Sequence, residues 1–294
     1  MSLVLNYRNY RTTKGLNVAY YESENIGRRP VLVFVHGNGF SPRTYEKLFT
    51  HLAENFDLFL PEVQGHGGNP ATGNFEGWNE WAEAIAELIQ TKRADWINCI
   101  GSGHSFGGVL TTLIAAKHSS LFDQLILLDP IYLPRRSVWF TRLVCAAGLG
   151  HLHPMIAMTR RRREHFPSKE AVCGQLQGKG VFDNWDPEAL SDFADANFTD
   201  VEDGVRLTTS PDLEAQIFGS YARRLRAAIK RITIPMHVLY GDKTYPFQQR
   251  AILEVAQLNA KMKLYRESGG HCFMQENPEK IAKKMLSLYD NNNG

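Results

Sequence analysis

Residues 96 to 117 hold the pattern that most restricts how this chain can fold. A strand-length apolar run, Trp96 to Ile100, leads into Gly103-His104-Ser105-Phe106-Gly107, and helical spacing follows from 107 to 117. A serine held at a sharp strand-to-helix turn takes a strained backbone conformation. Glycine two residues to either side removes the side chains that would collide with the adjoining strand and helix. The turn lifts the Ser105 hydroxyl clear of a sheet, where the free N–H groups and dipole of the helix start favour negative charge. A plain glycine-rich turn is the alternative, and the strand before it and the helix after it argue against that.

The same rhythm extends in both directions. Val31 to Val35, Leu58 to Leu60, Leu125 to Leu128 and Met236 to Tyr240 have strand length, and 77 to 90 joins 107 to 117 in helical spacing. A further strand is expected near Lys261 to Tyr265, and an amphipathic last helix over 278 to 289. Strands alternating with helices predict an α/β fold, a mostly parallel, doubly wound sheet with helices on both faces. From Pro134 to Tyr221 the rhythm stops: no strand is evident, and 137 to 149 and 211 to 225 read as helices. The expected division is a core of residues 1–133 and 222–294 with an inserted helical cap, 134–221.

Charge and composition exclude several roles. Lys and Arg number 33 against 31 Asp and Glu, so no overall field draws the protein to nucleic acid. The opening MSLVLNYRNYR lacks the apolar stretch of a signal peptide, and the longest apolar runs are too short to span a bilayer, so no membrane partner is expected and the location expected is cytoplasmic. The four cysteines, Cys99, Cys145, Cys173 and Cys272, form no CxxC pair. His151, His153 and His165 are irregularly spaced, so no metal site is expected. With no phosphate loop or dinucleotide fingerprint, no cofactor is expected either.

Three motifs in order, His36-Gly37-Asn38-Gly39, Gly65-His66-Gly67 and the Ser105 turn, followed by Gly269-Gly270-His271, make the chain similar to the α/β-hydrolase superfamily. The resemblance covers everything but the cap and looks closest to the capped, lipase- or esterase-like bacterial branch. It implies a serine hydrolase acting on a small acyl compound, a carboxylic ester first of all, through an acyl-enzyme. Lactonase, thioesterase, carbon–carbon bond hydrolase and acyltransferase chemistry would use the same residues, and a non-catalytic small-molecule receptor is the rival outside enzymes. Where relatives place an Asp ahead of the second motif, this chain has Pro61-Glu62-Val63-Gln64, a departure in a structural turn.

The resemblance implies roles for particular residues. Ser105 is the nucleophile, and the backbone N–H groups of Asn38 and Phe106 hold the oxyanion, where charge appears only in the transition state. His271 is the base, since it alone of the ten histidines follows a late expected strand and precedes the final helix. His36, His66 and His104 lie within turns and are expected to bond backbone.

The acid has two candidates. Asp242 follows the strand before the last, but the usual offset past Gly241 is occupied by Thr244; Asp129, after Leu125 to Leu128, matches an alternative placement and is favoured. The alternative role for either carboxylate is to cap a loop or helix start.

In the cap, Trp139, Phe140 and Leu143, with Met155 and Met158, are candidates to line an acyl pocket, or else form the cap's own core. Arg135, Arg136, Arg142 and Arg160 to Arg163 have no acidic residue among them, whereas 164 to 214 is mainly acidic. The simplest reading is two solvated faces that pair; the alternative is an arginine-lined entrance for an anionic acyl substrate.

Overall fold

A computed structural model describes residues 3–71, 73–134 and 154–293. Eleven strands appear in it: β1 (Leu5–Arg11), β2 (Asn17–Ser23), β3 (Val31–Val35), β4 (Asp57–Pro61), β5 (Cys99–His104), β6 (Gln124–Leu128), β7 (His165–Phe166), β8 (Phe198–Val201), β9 (Gly204–Leu207), β10 (Met236–Gly241) and β11 (Met262–Glu267). Eight of them form one sheet in the order β1-β2-β4-β3-β5-β6-β10-β11, antiparallel only at β1-β2 and β2-β4. The other pairs are parallel, with Leu32 opposite Ile100 and Leu239 opposite Leu128.

The uninterrupted apolar runs follow from burial on both faces, since alternate residues of a strand point to opposite sides. Val31, Val33 and Val35 join one core cluster and Leu32 and Phe34 the other; Leu125 and Leu127 divide from Ile126 and Leu128 in the same way. The helices Trp78–Gln90, Phe106–Lys117 and Leu225–Arg231 feed the first cluster, and Glu46–Leu52 and Pro278–Asn293 the second. The mostly parallel, doubly wound sheet is therefore the one the alternation predicts. No described helix is long and apolar enough to cross a membrane.

Several boundaries differ from the sequence reading. The strand expected at Trp96 to Ile100 starts at Cys99, because Arg93–Asp95 forms a short 3-10 turn and Trp96 packs into the core beside Phe59. The helix expected over 211 to 225 ends at Phe218, and a second one, Leu225–Arg231, starts after Arg224, whose left-handed backbone (φ 56°) breaks the spacing. The N-terminal hairpin β1-β2 was not anticipated. Leu5–Arg11 is an edge strand rich in exposed polar side chains, so it carries no apolar run.

The stretch between β6 and β10 departs from the expected helical cap. It contains a three-stranded antiparallel sheet, β7-β9-β8, besides the helices Pro154–Arg160, Lys169–Leu176, Pro187–Asn197 and Pro211–Phe218. These strands have only two to four residues, too few to show a period. The helix expected over 137 to 149 lies outside the described residues.

Candidate active site

The Ser105 turn sits between β5 and the helix Phe106–Lys117. Ser105 adopts φ 53° and ψ −113°, a region a non-glycine residue occupies only under constraint. Its N–H is tied to the Leu128 carbonyl at 3.1 Å, and its own carbonyl accepts from Ile131 at 3.1 Å. The flanking glycines are required by space. A Cβ at Gly107 would lie 2.0 Å from the Val35 carbonyl oxygen, and one at Gly103 would lie 2.7 Å from the Gly107 backbone.

His271 reaches this turn from the loop after β11. Its Nε2 is 2.9 Å from Ser105 Oγ and its Nδ1 is 2.6 Å from Asp129 Oδ2. A carboxylate only accepts, so Nδ1 carries the proton and Nε2 is left to receive one from the serine. Asp129 leaves β6 with φ 43°, is fully buried, and fixes its own N–H on the Leu239 carbonyl. Burial pushes its carboxyl above the ordinary range, and the hydrogen bond and charge of His271, then the hydroxyl of Thr244, oppose that rise.

Of the two candidate acids, the structure brings Asp129 and not Asp242 to the imidazole. Asp242 Oδ1 instead accepts the N–H of Gly269 at 2.9 Å, while Lys243 N–H donates to the Gly269 carbonyl at 2.9 Å, which clamps the loop that carries His271. Gly270 N–H is held by Glu276 Oε1 at 2.7 Å. Thr244, at the offset where relatives keep their acid, donates its hydroxyl to Asp129 Oδ2. Buried Gln248 donates to the Asp129 carbonyl at 2.8 Å. In the sequence Thr244 stands out only by its offset from Gly241, and no motif marks Gln248.

The His36-to-Gly39 turn follows β3 directly. Gly37 N–H is taken by Tyr45 Oη (3.0 Å), Gly39 N–H by His66 Nε2 (3.0 Å) and Phe40 N–H by the Gly37 carbonyl (3.2 Å). Among the described residues, the N–H groups of Asn38 and Phe106 have no such acceptor, and both residues line the cavity that Ser105 and His271 face.

His36, His66 and His104 all bond backbone. His36 Nδ1–H donates to Gly37 and Nε2 accepts from Val63; His66 Nδ1–H donates to Gln64. His104 Nε2–H donates to the His271 carbonyl (3.1 Å), so its Nδ1 accepts from the Tyr45 hydroxyl (2.8 Å), joining the His36-to-Gly39 turn to the His271 loop. Burial drives His36 and His104 well below the usual imidazole range and His66 down to about 4, so all three are neutral near pH 7. Glu62, the departure noted in the sequence, is buried beneath the second motif and accepts from Gly68 N–H at 2.9 Å; burial raises its carboxyl to about 7.

Trp139, Phe140 and Leu143 lie outside the described residues. Met155 lines the cavity, as does Met158, which is itself 70% exposed. Within the basic run Arg160 pairs with Asp212 and Arg162 with Glu214, while Arg163 lies over the Phe166 ring; Arg135, Arg136 and Arg142 lie outside the described residues. Among the described residues no group of three or more His, Cys, Asp or Glu is placed to hold a metal ion, and His165 is 3.0 Å from Asp203.

Residues 32–284 match the sequence model of the alpha/beta hydrolase family. The chain is 24% identical over 267 residues to a 2-(acetamidomethylene)succinate hydrolase of Mesorhizobium japonicum, covering 90% of this chain and 89% of that one. It is 34% identical over 221 residues to a type I acyl-CoA thioesterase of Penicillium roqueforti, covering 68% of this chain and 47% of that protein. Among solved structures, an E-2-(acetamidomethylene)succinate hydrolase superposes with a TM-score of 0.77 at 20% identity, covering 98% of this chain and all of that one. The thioesterase domain from the curacin biosynthetic pathway gives 0.74 at 18%, covering 96% and 99%. At these identities the superpositions establish the fold alone.

Proposed function

The chain belongs to the alpha/beta hydrolase family, and from that premise we propose that it is a serine hydrolase cleaving a small carboxylic ester through an acyl-enzyme. The observation that carries the reading is the unbroken row of hydrogen bonds from Ser105 Oγ through His271 to Asp129 Oδ2. In this reading Ser105 Oγ attacks the acyl carbonyl as His271 Nε2 takes its proton. The carbonyl oxygen becomes an alkoxide, held by the N–H groups of Asn38 and Phe106. His271 returns the proton to the leaving alcohol, and the acyl group stays on Ser105. Water then attacks that ester with His271 as base, releasing the acid and restoring the serine. Buried Asp129 keeps the imidazole in the required tautomer and balances its charge when protonated.

A serine nucleophile disfavours the haloalkane and epoxide chemistry that the family performs with aspartate. A thioester is the second reading, supported by the acyl-CoA thioesterase relative. We place the chain among the capped, esterase-like members, with residues 134–221 as cap, acting in the cytoplasm on a small molecule without a cofactor. The test is a panel of esters, thioesters and lactones of graded acyl length, run with a Ser105→Ala control. Turnover of a short ester that vanishes in Ser105→Ala is expected; turnover that persists in the variant, or an insoluble long-chain lipid as the best substrate, contradicts the reading.

A further inference from the structure

The cavity above Ser105 has two layers of opposite character. Buried apolar side chains line its interior, among them Trp78, Phe106, Val109, Ile217 and Val255. Its exposed lining carries Arg161, Lys179, Arg224 and Lys243. Burial alone therefore separates an apolar interior from a cationic mouth.

Several cations beside the cavity and two on its lining are ion-paired, whereas three others on the lining, among the described residues, are not. Arg160 pairs with Asp212, Lys169 with Asp195 and Arg223 with Glu80. Arg162 is answered by Glu214, which is 6% exposed, and Arg226 lies 3.5 Å from Glu254. Of the remaining acidic lining residues, Glu276 feels the charge of Lys243 and is engaged by Gly270 N–H, and Asp183 is exposed. Among the described residues Arg161, Lys179 and Arg224 have no ion-pair partner. Residues 135–153 contain no Asp or Glu, so they supply none of the missing carboxylates. A cation without an ion-pair partner gains charge-assisted hydrogen bonds from a bound anion.

We propose that the substrate is amphiphilic, with an apolar portion in the interior and an anionic group, carboxylate or phosphate, received at the mouth by Arg161 and Arg224. This rests on the serine-hydrolase reading and gives it a substrate class. Neither arginine touches the Ser105–His271–Asp129 row, so their contribution is to binding and not to chemistry.

The test compares substrates with and without an anionic group: hexanoyl-CoA against hexanoyl-N-acetylcysteamine, its truncated form without the phosphates, and p-nitrophenyl hemiadipate against p-nitrophenyl hexanoate, which has a methyl group in place of the terminal carboxylate. Each is assayed for kcat/KM with the wild type and with Arg161→Gln/Arg224→Gln, at low and high salt. Binding of the same compounds to Ser105→Ala is measured by calorimetry. Expected is an advantage of about tenfold or more in kcat/KM for the anionic member of at least one pair, carried by KM, shrinking in the double variant and at high salt. The neutral members should be turned over equally by wild type and double variant. The pair that shows the advantage tells phosphate from carboxylate. An anionic-to-neutral ratio that is the same in wild type and double variant, or binding to Ser105→Ala blind to charge, overturns the proposal. Charge-selective binding to Ser105→Ala without any turnover by the wild type keeps the proposal and sinks the catalytic reading instead.

Discussion

The ends of two neighbouring parallel strands, β6 and β10, each carry an aspartate, and the two side chains have different work. Asp129 follows β6 directly and Asp242 follows β10 directly, but Leu239 is level with Leu128, so β10 runs two residues further before its aspartate. At about 3.3 Å per residue that overshoot carries Asp242 past the layer of the imidazole. Asp129 is fully buried and meets His271 Nδ1; Asp242 is half-buried and holds Gly269 N–H. Thr244, two residues past Asp242, turns back and donates to Asp129. The same residue type at the same topological place thus serves the imidazole in one case and the loop bearing it in the other, and register decides which.

Substitutions at these strand ends break or sharpen the contrast. Asp129→Asn should lower kcat by about 10⁴-fold, because the amide no longer enforces the tautomer that leaves Nε2 free. Steady-state kinetics on any turned-over ester checks this, and a small effect there beside a large one for Asp242→Asn would exchange the two roles. Thr244→Val removes one hydrogen bond to a charged group, worth about 1.5 kcal/mol, so kcat should drop about tenfold with KM little changed. Asp242→Asn keeps an oxygen to accept Gly269 N–H and should leave kcat within about threefold of wild type.

The smallest effect is on stability and has the opposite sign. Burial raises the Asp129 carboxyl above its ordinary value of 3.8, so the folded protein holds that proton more tightly than the unfolded chain. The stability this contributes is fully present below about pH 3.8 and is lost as pH rises through the folded value. Asparagine does not ionise and suffers no such loss. Asp129→Asn should therefore melt above wild type at neutral pH, the gap closing as pH falls. Calorimetric scans across that range check it, and a variant less stable at neutral pH would mean that the ionised carboxylate stabilises the fold.

Legibility in the sequence followed the strength of the local constraint. Val31 to Val35 and Leu125 to Leu128 were readable because a strand buried on both faces has to be apolar throughout. Ser105 was readable because its turn needs glycine at 103 and 107, where any side chain would strike the Val35 carbonyl or the turn itself. The choice between Asp129 and Asp242 depends on how far β10 extends past β6, a tertiary register that no local pattern encodes. Tyr45 and Gln248 act on residues far along the chain and left no local trace. The β7-β9-β8 sheet escaped because its short strands have no period of their own.

The most direct test of the account is a fluorophosphonate probe followed by intact-mass and peptide analysis of the wild type, Ser105→Ala and His271→Ala. The account predicts one adduct on the peptide bearing Ser105 in the wild type, none in Ser105→Ala and strongly slowed labelling in His271→Ala. Absence of an adduct in the folded wild type, or an adduct on another residue, would contradict it.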